Sequence, residues 1–520
     1  MSSPSDLFNA AIQQHQAGRL VEAEQLYEAI LLQQPNQADV LYLLGLVNHQ
    51  RGCLDTAVRW YQQAIAVKPD YTDAHNNLGV LLVQQGDLQQ ATVHYRAALQ
   101  TTPNNPRIHA NLGVILQQLG QFAAAISHYQ AAIQLQPNLA VAHSNLGHAL
   151  KELGQLDPAI GHYHTARQLM PTNPDAYREL GDALQEQGRL QDALDIYDLA
   201  LAFAPNHLEL NGSRIRALLI SGNLRDGFAE YDHWRLAIAP QPQSWMSPDW
   251  DGCELQGQTI LLYAEAGAGF GDSLQFIRYV PLVAKCGGQI IVECPLPLVR
   301  LFRSLPQVSQ VIAPGEPRPQ VSVQAALLSL PRIFSTTLET IPNQMPYLRA
   351  EPIAATNFLK RQEQAAGGTS QPKVGIVWGG NPDHLHDRDR SCPFSEFQRF
   401  LSVPNVEFYS LQVGPHQAEL THPKVIDLSD RLHDFADTAA VIEQLDLVIT
   451  VDTAVAHLAG AMGKPVWILL SFAADWRWLM QRPDSPWYPT ARLFRQPHRR
   501  DWASVCQQVA IALRELVQKG

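Results

Sequence analysis

Two patterns of apolar and polar positions meet near residue 240. Before it, small and aromatic positions return every 34 residues, and each period predicts a pair of antiparallel helices. After it, short apolar runs open into glycine-rich segments: AEAGAGFGDSLQF at 264–276 and LDLVITVDTAVAHLAGAMGKPVWILL at 445–470. That pattern predicts a strand running into a helix.

The period is read from Gly18, Gly52, Gly86, Gly120, Gly154, Gly188 and Gly222, each 34 residues after the last. Ala follows the first six glycines by five residues, Tyr (Tyr27 to Tyr197) by nine and Pro (Pro35 to Pro205) by seventeen. The glycine suits a turn with positive φ between the two helices. The proline ends the second helix because it donates no backbone hydrogen bond. Small residues let the helices approach, and the tyrosine is expected to fill the gap between neighbouring repeats. A helix pair alone leaves an apolar face open, so the units must stack. The unit at 211–235 keeps Gly222 and Tyr231 but carries Gly227 and Trp234 at changed positions. It is expected to cap the array and to contact the next domain.

The array resembles the tetratricopeptide repeat. Asn77, Asn111 and Asn145 recur once per repeat in AHNNLG, IHANLG and AHSNLG. This text resembles the repeats of O-linked N-acetylglucosamine transferases, which implies an asparagine ladder gripping the backbone of an extended acceptor peptide. A side-chain amide both donates and accepts, which suits that task. The same residues also suit plain repeat packing, and Leu43 and Glu179 interrupt the series. His75, His109 and His143 read as groove or packing residues, since their one-per-repeat spacing is too wide for one metal ion.

Beyond a Pro- and Gln-rich stretch, QTILLYAEAGAGFGDSLQFIRYVPLVAKCGGQIIVEC predicts one βαβ unit. KVGIVWGG (373–380), VEFYSLQ, KVIDLS, DLVITVD and PVWILLS predict a second series. The predicted organisation is therefore an all-α repeat superhelix at 4–236 and a linker at 237–257. A Rossmann-like α/β half at 258–352, a linker at 353–372 and a second α/β half at 373–520 follow. Two successive halves fit a GT-B glycosyltransferase, with its site in the cleft between them. DLVITVDTAVAHLAGAMGKPVW resembles family 9 glycosyltransferases, the ADP-heptose heptosyltransferases. GFGDSLQFIRYVP, KVGIVWGGNP, DRDRSCPF, DWRWL and WYPTARLFRQ resemble bacterial proteins that fuse such a domain to tetratricopeptide repeats.

Three places carry candidate chemistry. Asp452, Thr453, Ala454 and His457 follow a buried strand and open a helix, where free N–H groups and the helix dipole suit a phosphate. The family pattern has Gly at the position of Ala454. An ordinary N-cap with a buried histidine is the plainer alternative. In the glycine-rich loop, Gly269 and Gly271 flank the entry to a helix. There the resemblance marks Asp272 as the base that takes the acceptor's proton in an inverting transfer. Asp272 also suits N-capping. Arg388 and Arg390 of DRDRSCPF would neutralise a leaving diphosphate, or form a solvated charge run with Asp387 and Asp389. Gly380 and Asn381 at a strand end, and Gln412 after the next strand, would contact the donor. Trp476, Arg477, Trp478, Trp487 and Tyr488 read as fold or acceptor-cleft residues.

Composition narrows the classes. The chain has 520 residues and a formal charge of −11, without the basic patch a nucleic-acid partner requires. No leader pattern and no stretch long enough to span a membrane is evident. The six cysteines lie apart without a CxxC pair, which suits reduced thiols in the cytoplasm. The expected partners are a nucleotide-sugar donor and a protein or peptide acceptor in the repeat groove, and a homodimer is compatible with such an array. No metal or other cofactor is expected. The alternatives are a transferase acting on a glycan or lipopolysaccharide, and a repeat scaffold with a degenerate transferase domain.

Overall fold

The computed structural model describes residues 3–238, 247–265, 267–351, 371–384 and 387–519. The linker predicted at 353–372 lies outside them except for Gln371 and Pro372, as does most of the one predicted at 237–257. The chain divides into two compact units, 1–183 and 184–520.

Seven helix pairs, from α1 (Pro4–Gln16) and α2 (Leu20–Gln33) to α13 (Leu208–Ile220) and α14 (Leu224–Ile238), follow the 34-residue period. All seven turn glycines take φ between +73° and +88°, where a side chain is strained. In the first five pairs the second helix stops two residues before its proline, as α2 does at Gln33 ahead of Pro35, and α12 stops at Leu201 ahead of Pro205. The conserved spacing of Tyr has a more local cause than expected. A Cβ on Gly45, Gly79, Gly113 or Gly147 would come within 2.5 to 2.9 Å of the tyrosine ring of the same repeat. The ring therefore fills the gap between the two helices of its own pair.

Within the first unit, the three histidines are paired. His75, His109 and His143 each bring Nδ1 to within 2.9 to 3.0 Å of Nδ1 of His94, His128 and His162. Their Nε2 atoms donate to the carbonyls of Pro69, Pro103 and Pro137. Nδ1 of the first ring is therefore an acceptor, and each pair holds one proton between its two facing nitrogens.

The second unit holds α12 (Leu190–Leu201), α13 and α14 together with two parallel sheets. The first sheet comprises β1 (Thr259–Tyr263), β2 (Gln289–Glu293), β3 (Val308–Ile312) and β4 (Val323–Ala326), in the order β3-β2-β1-β4. The second comprises β5 (Lys373–Val377), β6 (Glu407–Ser410), β7 (Val425–Asp427), β8 (Leu447–Val451), β9 (Val466–Leu470) and β10 (Ala491–Arg495). Its order is β10-β9-β8-β5-β6-β7. Every strand pairing is parallel. β8 and β9 are buried along their whole length, as expected where helices cover both faces of a sheet.

The connecting helices of the first sheet are α15 (Phe270–Phe276), α16 (Val280–Lys285), α17 (Leu296–Phe302) and α18 (Leu330–Ile333). Those of the second are α19 (Asp387–Arg390), α20 (Phe394–Leu401), α21 (Phe435–Ile442), α22 (Ala454–Ala461) and α23 (Trp502–Lys519). One apolar core joins both sheets and the last repeat. Leu219, Leu224 and Phe228 share it with Phe276, Leu458, Trp478 and Trp487. A separate core under the second sheet gathers Trp378, Phe397, Phe400 and Trp502.

α14 is bound to the α/β part by charge as well as by packing. Asp232 accepts from Arg235 at 2.9 Å, Ser329 at 2.6 Å and Arg332 at 2.6 Å. The Phe228 ring stands edge-on to Phe276 and Trp476 at 5.9 and 5.5 Å.

Candidate functional site

The candidate residues of the second unit gather at the C-terminal ends of β1, β5, β6 and β8, where open parallel sheets place their ligands. From β1 the chain passes Glu265 and the glycine-rich loop into α15. Gly267 takes φ +86°, and Gly269 is the N-cap of α15. Asp272 turns back, and its Oδ2 accepts from the Gly269 N–H at 2.8 Å. Its Oδ1 accepts from the Arg477 guanidinium. Arg477 also donates to Gln275 Oε1 at 2.5 Å and to Asp475 at 2.8 Å. It thereby ties α15 to the 3-10 turn at Trp476–Trp478, which follows β9.

From β8 the chain enters α22 through Asp452 and Thr453. Thr453 Oγ1 lies 3.0 Å from Thr450 Oγ1, and no side chain caps the helix. The partly buried Ala454 opens it. Burial, with Asp475 nearby, pushes the Asp452 carboxyl up to about 6, against the pull of Arg477 and Arg390. His457, one turn into α22, accepts from or donates to Tyr488 Oη through Nδ1 at 2.8 Å and stacks on Trp478. Burial and the nearby Arg477 and Arg278 hold its pKa well below the usual value, so the ring is neutral.

At the end of β5, the amide of Gln412 serves the main chain. Its Oε1 accepts from the N–H groups of Trp378 and Gly379, and its Nε2 donates to the carbonyls of Gly379 and Val413. It shapes the loop that carries Gly380. Gly380 N–H donates to Ser391 Oγ at 2.9 Å. A Cβ on Gly380 would lie 2.9 Å from Nε of Arg390, so the missing side chain is what seats that guanidinium. Arg390 is partly buried beside Asp387, whereas Arg388 and Asn381 are exposed. Asn381 Oδ1 accepts from the Asp383 N–H in a local turn.

The structure thus brings Asp272, Arg390, Asp452 and His457 into one charged neighbourhood through Arg477 and α22. Asn381 and Arg388 stand at its exposed edge. Asn77, Asn111 and Asn145 belong to the first compact unit. There Asn77 donates to Tyr42 Oη at 3.1 Å, Asn76 donates to Asn77 at 3.1 Å, and Asn111 reaches Asn76 at 3.5 Å. Asn145 is half-buried. Asp73, Asn76, Arg107, Ile108, Asn111 and Val141 are among the residues lining a cavity of about 450 Å³.

Sequence reasoning passed over one ion pair beside the glycine-rich loop, Glu265 with Arg235. Their Oε1 and Nε lie 2.7 Å apart, both nearly buried. The signal was present only as a charged residue between a strand end and a glycine-rich loop. The partner, thirty residues upstream, is visible only in three dimensions. Among the described residues, no cluster of three or more His, Cys, Asp or Glu side chains is arranged to hold a metal ion. No helix there is long and apolar enough to cross a membrane.

Comparison with known families bears on both parts. Tetratricopeptide repeats match at residues 49–86, 81–120, 115–154 and 147–188, and further ones at 7–29 and 174–207. Glycosyltransferase family 9 (heptosyltransferase) matches residues 418–471, the stretch that holds β7, β8, α22 and β9. The chain carries tetratricopeptide repeats in its N-terminal part and a family 9 glycosyltransferase match in its C-terminal part. Protein FlbA of Caulobacter vibrioides is 27% identical over 302 residues, covering 51% of this chain and 48% of FlbA. The chain therefore spans about half the length of that curated relative. Among solved structures, the repeats are similar to YrrB, a tetratricopeptide protein with an unusual peptide-binding site. The identity is 21%, the coverage 36% of this chain and 97% of YrrB, and the TM-score 0.34. PilF of Pseudomonas aeruginosa is 24% identical, with 39% and 93% coverage and a TM-score of 0.35. MamA is 19% identical, with 32% and 91% coverage and a TM-score of 0.31.

Proposed function

We propose that the α/β part is a GT-B glycosyltransferase that moves a sugar from a nucleotide-sugar donor to a protein or peptide acceptor docked by the repeats. The observation that carries this reading is the convergence of Asp272, Arg477, Asp452 and His457 at the ends of two parallel sheets, with Asp452 and His457 inside the stretch 418–471 that matches family 9. The uncapped start of α22, with Thr453 and Ala454, receives the diphosphate. Arg390 and the exposed Arg388 offset its charge. Gly269 and Gly271 keep the loop close to the donor, and Gly380, Asn381 and Gln412 shape the opposite wall.

Asp272 acts as the base for an inverting transfer, and the reaction needs no metal because guanidinium groups take that electrostatic role. Asn77, Asn111 and Asn145 hold the acceptor backbone. The six cysteines are all free, which supports a reducing, cytoplasmic setting.

The test is mass spectrometry of nucleotide released from a panel of nucleotide sugars, with Asp272→Asn in parallel. Turnover of one donor, lost in the variant, is the expected result. Absence of turnover and of any thermal shift with nucleotides would point to a scaffold instead. An Asn77, Asn111 and Asn145 triple alanine variant should hydrolyse donor normally and fail to modify its protein target.

A further inference from the structure

The paired histidines of the repeat array have no part in the transferase reading. α5 (Thr72–Gln84) and α6 (Leu88–Thr101) carry His75 and His94. α7 (Pro106–Gln118) and α8 (Phe122–Leu135) carry His109 and His128, and α9 (Ala140–Glu152) and α10 (Leu156–Leu169) carry His143 and His162. In each pair the two Nδ1 atoms lie 2.9 to 3.0 Å apart, and the ring planes meet at 35–37°. The first ring is fixed in one tautomer. Its Nε2–H is spent on a proline carbonyl, so its Nδ1 lone pair is aimed at the second ring. A metal-binding imidazole is commonly oriented in this way, with one nitrogen donating to a carbonyl and the other presenting its lone pair.

Capping the proline carbonyl does not account for the pairs. In the next repeat Tyr177 Oη donates to the carbonyl of Pro171 at 3.0 Å, and in the one after it Asn211 Nδ2 donates to that of Pro205 at 2.9 Å. Any suitable donor serves there. At the positions equivalent to a histidine pair, the preceding repeat has Leu41 and Trp60 and the following one Tyr177 and Ile196. What histidine adds at both positions is a second ring nitrogen, and the two meet. The second rings, His94, His128 and His162, are half-buried, and no hydrogen bond joins their Nε2 atoms to another described residue. Each can pass its proton from Nδ1 to Nε2 through solvent, which leaves two lone pairs facing one point.

We propose that each histidine pair is a two-nitrogen site for a divalent transition-metal ion, Cu(II) or Ni(II), which clips together the two helices of its repeat. Two nitrogens 3.0 Å apart, each about 2.0–2.1 Å from one ion, subtend about 90° at it. That is the angle between adjacent ligands in the tetragonal geometry of Cu(II) and Ni(II), and it is narrower than the tetrahedral angle of zinc. The ion replaces the shared proton, the rings swing so that both lone pairs converge on it, and water completes the shell. One proton moves within the second ring, and the neutral pair releases none. Two protein ligands make a weaker site than the four of a structural centre. The pairs are unequal, because the Arg96 guanidinium bears on His128 and repels a cation there. The middle pair is therefore the weakest. These sites stand independently of the transferase reading.

The test uses the full chain, stripped by chelator and held at about pH 7.5, above the ordinary histidine pKa. Titration calorimetry with Ni(II), and separately with Cu(II), should show three saturable sites per chain, one weaker than the others. Electron paramagnetic resonance of the chain with substoichiometric Cu(II) should show coupling to two imidazole nitrogens. Two triple variants remove the pairs in different ways. His75→Tyr, His109→Tyr and His143→Tyr together keep a donor for each proline carbonyl, as Tyr177 does. His94→Phe, His128→Phe and His162→Phe together keep the first ring and its bond. Each should retain its helical circular dichroism and bind the ions about tenfold or more weaker. His128→Phe alone should remove the weakest site and leave two, which decides the matter if a triple variant fails to fold. Absence of saturable binding to the wild type overturns the proposal. Undiminished binding in the variants places the ion on other side chains and overturns it as well, as does coupling to a single nitrogen.

Discussion

Gly271 and His457 meet across the two halves of the α/β part. The Cβ that Gly271 lacks would lie 2.8 Å from His457 Cδ2 and 3.3 Å from its Nε2. His457 cannot retreat easily, because Tyr488 and Trp478 fix the ring from the other side. α15 and α22 therefore approach through a glycine that has nothing to do with turn geometry. Gly271→Ala is expected to cost about 1–3 kcal/mol through overpacking. Gly161→Ala is the control: Gly161 lies inside a helix of the array with open space around its missing Cβ. It should be neutral or stabilising by about 0.5–1 kcal/mol. Denaturant unfolding of both variants checks the contrast.

Asp232 is the acceptor on which α14 and the α/β part converge. Its removal leaves Arg235, only 10% exposed, with Glu265 as its remaining counter-charge. Asp232→Ala should cost about 3–5 kcal/mol. Burial opposes its ionisation, but Ser329, Arg235 and Arg332 together hold its carboxyl below the usual range. A depressed carboxylate adds stability above its unfolded pKa and loses it as pH falls through the folded one. The gap between wild type and Asp232→Ala should therefore be full at pH 7 and narrow on acidification below about pH 4, the ordinary carboxylate range.

The histidine pairs carry the same sign for a different reason. His94, His128 and His162 have depressed pKa values, chiefly from burial and then from the facing His75, His109 and His143. A second proton on a pair sets two N–H groups against each other. Their contribution is present above the ordinary histidine pKa and lost as pH falls through the lowered folded values. Thermal melting of the repeats should drop between about pH 7 and pH 5, by about 2–4 °C for each kcal/mol lost. A triple variant with His94, His128 and His162 replaced by Phe should show a shallower pH dependence.

Truncation should respect contacts rather than the repeat pattern. A chain starting at Leu184 keeps α12, α13 and α14, whose Leu219, Leu224 and Phe228 lie in the common core. It should unfold cooperatively. A chain starting at Ser247 lacks Phe228 against Phe276 and Trp476, and lacks Asp232 against Arg332. It should melt at markedly lower temperature and bind dyes that report exposed apolar surface. Calorimetry of the two fragments distinguishes them.

The sequence alone determined much of this protein, because periodic constraints leave periodic residues. Every turn between the two helices of a repeat shows a glycine at its positive φ, the second helices of the first six repeats end ahead of a proline, and buried parallel strands read as unbroken apolar runs. Thus Gly18 to Gly222, and β5, β6, β8 and β9, were legible residue by residue. β10 was not, since ARLFR carries two arginines and alternates in burial. Asp272, Asp452 and His457 were legible as candidates because strand-to-glycine-to-helix text marks a site. Their partners were not. The Arg477 that binds Asp272 is 205 residues away in sequence, and the Arg235 beside Glu265 comes from a helix that reads as one more repeat. The break between compact units at 183 was likewise invisible, because the 34-residue rhythm continues to Tyr231 while the packing partners change. Local conformational rules act over a few residues and write themselves into sequence. Ion pairing and shared burial depend only on distance in space, and the tertiary structure alone decides them.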